Sequence, residues 1–125
     1  MGVMNNTTDD NPQPFVVENQ GNGLINISIN ATTLFDTVGL GDASYQFKID
    51  NSSELGSFLG LSSLINWTFM PSAAVVAIDS LKYEDSTDTA ECDILVDVPF
   101  SEDAGGKSST VYFEAGLVEW KEQKN

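Results

Sequence analysis

At 125 residues and 41 % hydrophobic composition, the chain is long enough for one buried core and too apolar to be a disordered segment. Its 19 acidic residues stand against five basic ones, all lysine, for a formal net charge of −14; arginine and histidine are absent. A field of that sign repels polyanions, and without guanidinium forks or imidazoles the chain lacks the means to read nucleic acid, to bind an anionic membrane surface, or to build a Ser-His-Asp, Cys-His or histidine–zinc centre.

The opening residues 1–14 are polar and end in Pro12 and Pro14, the composition of a flexible leader or linker. They hold no apolar h-region, so an export signal is expected outside this stretch, and no apolar run approaches the roughly 20 residues of a membrane-spanning helix. The folded domain is expected over residues 15–116. "FVVEN" reads as a short strand and "QGNG" after it as a turn. In "LINISINA" a period of two sets Ile25, Ile27 and Ile29 on one face and Asn26, Ser28 and Asn30 on the other. "FDTVGLGDAS" is a loop, and "YQFKID" repeats the alternation with Tyr45, Phe47 and Ile49 inward. Residues 51–65 are ambiguous: Ser53-Glu54 could open a helical turn, while Gly56 and Gly60 argue against a long helix.

"NWTFM" is a strand closed by Pro71, "AVVAIDSLKY" one bent strand or two, and "EDSTDT" an acidic turn. The longest strand signal is "AECDILVDVPF", where Cys92, Ile94 and Val96 alternate with Glu91, Asp93 and Leu95. Cys92 is the only cysteine, which rules out an internal disulfide and a Cys-x-x-Cys metal site and makes it a small buried hydrophobe. "SEDAGGKS" reads as a hairpin connection and "STVYFEAG" as the last strand; residues 117–125 form an amphipathic tail, either a short helix or a frayed end. About seven short strands with turn signals between them and little helix predict an all-β, antiparallel β-sandwich, with a small β-barrel or jelly roll as the alternative.

Six of the ten asparagines open an N-x-[ST] triplet: Asn5, Asn6, Asn26, Asn30, Asn51 and Asn66. Asn26 and Asn30 fall on the polar face of their strand and Asn51 in a loop, where a bulky sugar clears the core. Those positions, with the acidic Ser/Thr/Asn-rich exterior, point to an extracellular or cell-surface location. The acidic turn supplies Glu84, Asp85 and Asp88 as candidate ligands for calcium, which takes several carboxylate and carbonyl oxygens, although the spacing is not that of an EF-hand. Trp67, Trp120 and Tyr83 are candidates for an aromatic platform under sugars. Paired carboxylates remain chemically available, yet no cleft-forming insertion accompanies them. "GLGDAS" and "GNG" lack the lysine and strand–helix setting of a phosphate loop. The expectation is therefore a protein without catalytic residues or a cofactor.

"FVVENQGNGLINISINAT", "WTFMP" midway and "GGKSSTVYFEA" at the end resemble secreted immunoglobulin-like β-sandwich modules of archaeal cell-surface proteins. Such modules open with a strand reading V-x-N-x-G-N, here Val17 to Asn22. They close with G-x-x-S-S-T and a hydrophobic residue, here Gly106 to Val111. The resemblance implies surface display and a structural or adhesive role, with other surface proteins or copies of the chain itself as partners. One version is a filament subunit in which the leader or "FVVEN" adds to a neighbour's sheet edge. The alternative is a carbohydrate- or calcium-binding module of a larger surface protein.

Overall fold

A computed structural model of the protein describes residues 4–6 and 13–120. Eight strands form among them: β1 (Met4–Asn6), β2 (Phe15–Glu18), β3 (Gly23–Ala31), β4 (Tyr45–Asn51), β5 (Thr68–Phe69), β6 (Val75–Leu81), β7 (Thr89–Asp97) and β8 (Val111–Trp120). One 3-10 turn spans Gly60–Ser62, and the described residues contain no α-helix. All pairings are antiparallel. The larger sheet runs β5-β4-β7 with β1 and β2 both on the far edge of β7, and the smaller runs β6-β3-β8. This is the open, two-sheet sandwich expected from the alternating apolar pattern, and it is not a closed barrel.

The core lies between the sheets. Ile27 and Ile29 of β3 and Ala77, Ile78 and Leu81 of β6 meet Tyr45, Phe47 and Ile49 of β4 and Ala90 and Cys92 of β7, with Met70 sealing one end. Phe47, Ile29 and Ile78 are wholly buried, each worth about 1.5–3 kcal/mol relative to exposure. The isoleucines of "LINISINA" thus face inward as their period dictates. The alternation in β7 holds only in part. As the inner strand of its sheet it carries Cys92 toward the core, yet Asp93 and Leu95 on its opposite face are buried too. Asp93 stands directly across from Lys48 in the β4–β7 register.

In immunoglobulin constant domains the first strand lies beside the second and the last beside the penultimate. Here the terminal strands trade places: β2 pairs with β7, and β8 pairs with β3 along its whole length. The expected leader, residues 1–14, contributes β1. Asn6 lies opposite Leu95 and Phe15 opposite Cys92, so only Asp93 and Ile94 of β7 separate the partners of two strands that run in the same direction. β1 and β2 are two pieces of one edge strand. At the other end β8 continues through Trp120, into the expected tail; residues 121–125 lie outside those described.

The turn from β2 to β3 is organised by Asn19, 3 % exposed. Its Nδ2 donates to the carbonyls of Gly23 at 2.9 Å and Leu81 at 3.0 Å, and its Oδ1 accepts from the Gly21 amide at 3.0 Å. Gly21 suits this site because an added Cβ would stand 3.3 Å from that same Oδ1. One amide side chain thereby joins the turn to β6. At the other end of β3, Ser109 donates to the Thr32 carbonyl at 2.6 Å and the Thr110 amide donates to Thr32 Oγ1 at 2.9 Å. The S-S-T run before the last strand is a clasp between β3 and β8.

Candidate functional site

The residues singled out for surface chemistry separate into exposed and engaged ones. Asn51, at the end of β4, and Asn66, before β5, are both exposed. The Thr68 hydroxyl of the second triplet donates to the Asn66 carbonyl at 2.9 Å. Asn26 and Asn30 are half-buried in the middle strand of the smaller sheet. Asn26 Oδ1 accepts from the Ser80 amide at 3.0 Å, where β6 bulges and Ser80 takes the left-handed φ of 57°. Asn30 Nδ2 reaches the Ser72 carbonyl at 3.5 Å. Asn26 is thus recruited to hold β6 and Asn30 reaches the segment before it, whereas Asn51, expected in a loop but the last residue of β4, and Asn66 are the exposed pair among the described side chains. Asn5 and Asn6 belong to β1, and their side chains lie outside those described.

The acidic turn does not gather its carboxylates around one point. Glu84 and Asp85 are exposed, whereas Asp88 is 2 % exposed and turned under. Among the described residues no group of three or more Asp, Glu, Cys or His side chains is arranged to hold a metal ion. The partner of Asp88 is Glu54, which sequence reading took for the start of a helical turn. Glu54 Oε1 accepts from the Asp88 amide and the Thr89 hydroxyl, both at 3.0 Å, and these bonds hold Glu54 below the usual carboxylate range. Burial first, then the Glu54 carboxylate beside it, raises Asp88. Of the two carboxyls, Asp88 is therefore the one that gives up its proton at the higher pH.

A second polar cluster joins two loops. Glu102, its side chain 1 % exposed, accepts from the Asp36 and Thr37 amides at 2.9 and 3.1 Å and from the Thr37 hydroxyl at 2.7 Å. Lys107 meets it at 2.7 Å and Asp36 at 2.9 Å. The Asp36 amide bond and then Lys107 lower Glu102 to about 2. This arrangement ties the 36–37 loop to the β7–β8 connection. Both Glu102 oxygens accept hydrogen bonds within the cluster.

Of the expected aromatic platform, Trp67 is half-buried and carries the Lys48 ammonium 5.1 Å from its ring centroid. Tyr83 is half-buried, and the side chain of Trp120 lies outside those described. Cys92 is fully buried, and desolvation pushes its thiol up to about 12. The described residues line two shallow depressions, among others. One of about 450 Å³ is lined by Ile49, Asn51, Phe58 and Ile65, and one of about 210 Å³ by Val38, Ser44, Val98 and Phe100.

Sequence reading located the sequons and the acidic turn. It missed Asn19, Glu54 and Glu102, whose partners lie 34 to 66 residues away in the chain for the decisive bonds. Only the Asn-x-Gly spacing of the first carries a local turn signal. In comparisons with known proteins, the chain matches no family model, no curated protein and no solved structure.

Proposed function

We propose that the protein is a non-enzymatic structural or adhesive module displayed outside the cell, N-glycosylated, and built to join other copies by strand addition. One observation carries the reading: the N-terminal strands fill one edge of β7. β1 takes Leu95 to Asp97 and β2 takes Thr89 to Cys92. Both precede the rest of the domain and connect to it through the turn at residues 19–22. The same register formed between the N-terminal strands of one copy and β7 of the next gives a head-to-tail contact that repeats without closing. Backbone hydrogen bonds provide its affinity, and Phe15, stacked edge-on against Phe113 at 5.6 Å, provides an apolar anchor.

The exposed triplets at Asn51 and Asn66 and the net charge of −14 support placement outside the cell. The likeness to immunoglobulin-like modules of archaeal cell surfaces points the same way.

Deletion of residues 1–19 tests the assembly part. Electron microscopy of the intact chain at high concentration is expected to show filaments, and the deleted chain to show none until a peptide of residues 4–18 is supplied. Filaments unaltered by the deletion would refute strand addition. Intact mass of the protein from its native source tests the location: additions in hexose-sized steps on Asn51 and Asn66 are expected, and bare asparagines throughout would reverse it.

A further inference from the structure

A sheet edge is a row of unpaired amides and carbonyls, and folded proteins shorten, interrupt or cover such edges. Three of the four edges here are treated in those ways. β5 is two residues long. On the β1/β2 edge the strands are three and four residues long. The outer edge of β6 bulges and is covered by the loop before β5. The Leu64 amide donates to the Ala77 carbonyl at 2.9 Å, the Leu59 amide to Asp79 at 3.0 Å, and the Lys82 amide to Ser57 at 2.8 Å.

β8 differs. It is ten residues long, pairs with β3 on one side, and has no strand on the other among the described residues. Glu114 is the only charged residue between Val111 and Val118. Residues 114–118 are exposed on both faces of the strand, with Tyr112, Leu117 and Val118 about half exposed.

We propose that this edge pairs with the same edge of a second copy, antiparallel about a two-fold axis near Ala115, so that two three-stranded sheets become one of six. Two features of the strand select a second copy as the occupant. The first is the mismatch between its ends: Phe113 is covered by the core and by Phe15, whereas Leu117 overhangs it. A two-fold at Ala115 sets Leu117 of each copy beside Phe113 of the other, so each overhang is covered. The second is charge. The same register places Glu114 opposite Gly116 rather than opposite another carboxylate, which keeps the one charge of the paired stretch, residues 113–117, from facing itself. The register shift between Leu24 and Ile25, with Val118 as the extra residue on β8, ends the pairing beyond Leu117.

The inference rests on the reading of the protein as a self-assembling module and adds a lateral contact distinct from the N-terminal strands. Because two acidic copies repel, the dimer strengthens as salt shortens the screening length from about 10 Å at 0.1 M to about 3 Å at 1 M.

Sedimentation of the full chain at both salt concentrations is the test, with Gly116→Glu as the probe. A Cβ at Gly116 meets nothing within 4 Å, so this change should leave circular dichroism and melting intact. It sets a second carboxylate against Glu114 of the other copy, and dimer affinity is expected to fall about tenfold or more. Ala115→Cys provides an independent readout, since Cys92 is buried and a disulfide-linked dimer under oxidised glutathione then reports two Ala115 positions face to face. A chain that stays monomeric at high concentration and salt, or a dimer indifferent to Gly116→Glu and uncrosslinked through position 115, overturns the proposal. Filaments that persist with Gly116→Glu would leave head-to-tail strand addition standing, whereas their loss on deleting residues 1–19 with the dimer intact would separate the two contacts.

Discussion

Replacing Asn19 by alanine removes three hydrogen bonds at a position 3 % exposed: two donated to the Gly23 and Leu81 carbonyls and one accepted from the Gly21 amide. Each bond contributes about 1 kcal/mol net, so Asn19→Ala is expected to destabilise by about 3 kcal/mol. For a domain of this size that lowers the melting temperature by about 10–15 °C. Urea unfolding followed by tryptophan fluorescence measures the free energy, and an unchanged slope with denaturant shows that the folded state is otherwise intact. Asn19→Asp keeps the acceptor for Gly21 but loses both donors and brings a carboxylate against two carbonyls, so it should cost at least as much as alanine. A loss under about 0.5 kcal/mol for alanine, or an aspartate variant as stable as the native chain, would show that the turn is held by its backbone alone.

Glu102 is depressed to about 2 from an ordinary 4.5, so its contribution is present above the ordinary value and disappears as pH falls through the depressed one. Glu102→Gln should therefore melt lower than the native chain at pH 7, with the gap closing in an acid titration toward pH 2. Asp88 is raised, which reverses the sign: its contribution is present in acid and lost as pH rises through its folded value. Asp88→Asn, which removes the buried carboxyl beside Glu54, should raise the melting temperature at pH 7 and flatten its dependence on pH; a lower melting point with an unchanged profile would contradict the raised carboxyl. Cys92 should resist iodoacetamide in the folded protein and react on unfolding in urea, and Cys92→Ser should cost about 1–3 kcal/mol by burying a hydroxyl in place of the thiol.

The inner faces of β3 and β4 were legible because each strand buries one side only, which writes a period of two into Ile25, Ile27 and Ile29 and into Tyr45, Phe47 and Ile49. β7 obscured the same signal. With both of its faces covered, Asp93 and Leu95 on the outer side are as buried as Cys92 on the inner, and an alternation of charge no longer reports exposure. The segment 51–65 was opaque for a different reason. Its structure is set by what it covers: Ser52 Oγ accepts from the Glu54 amide at 3.0 Å, Ser57 donates to the Glu54 carbonyl at 2.7 Å, and the residues beyond bond to β6. Such a segment carries no period of its own. Strand adjacency lay further out of reach, because an alternating strand states which face it buries and not which neighbour it takes. Hence the exchange of β2 and β8 between sheets left no trace in the pattern.

That covering segment also bears on the proposed sugars. Its outward side chains include Leu55, Leu59 and Ile65 at 43–70 % exposure, and Leu61 is entirely exposed. Its only charge, Glu54, is turned toward Asp88 and Thr89. A loop that exposes four large aliphatic side chains is an association hazard on an otherwise strongly acidic surface. Asn51 and Asn66, the exposed N-x-[ST] asparagines among the described side chains, stand at its two ends. A glycan on each would flank the leucines and hinder contact between copies there, while β8, whose strand carries no triplet, would stay bare. In a self-assembling module that distribution has a physical logic: hydrated sugar where the surface is apolar without a repeating backbone pattern, and an open backbone where pairing has a defined register.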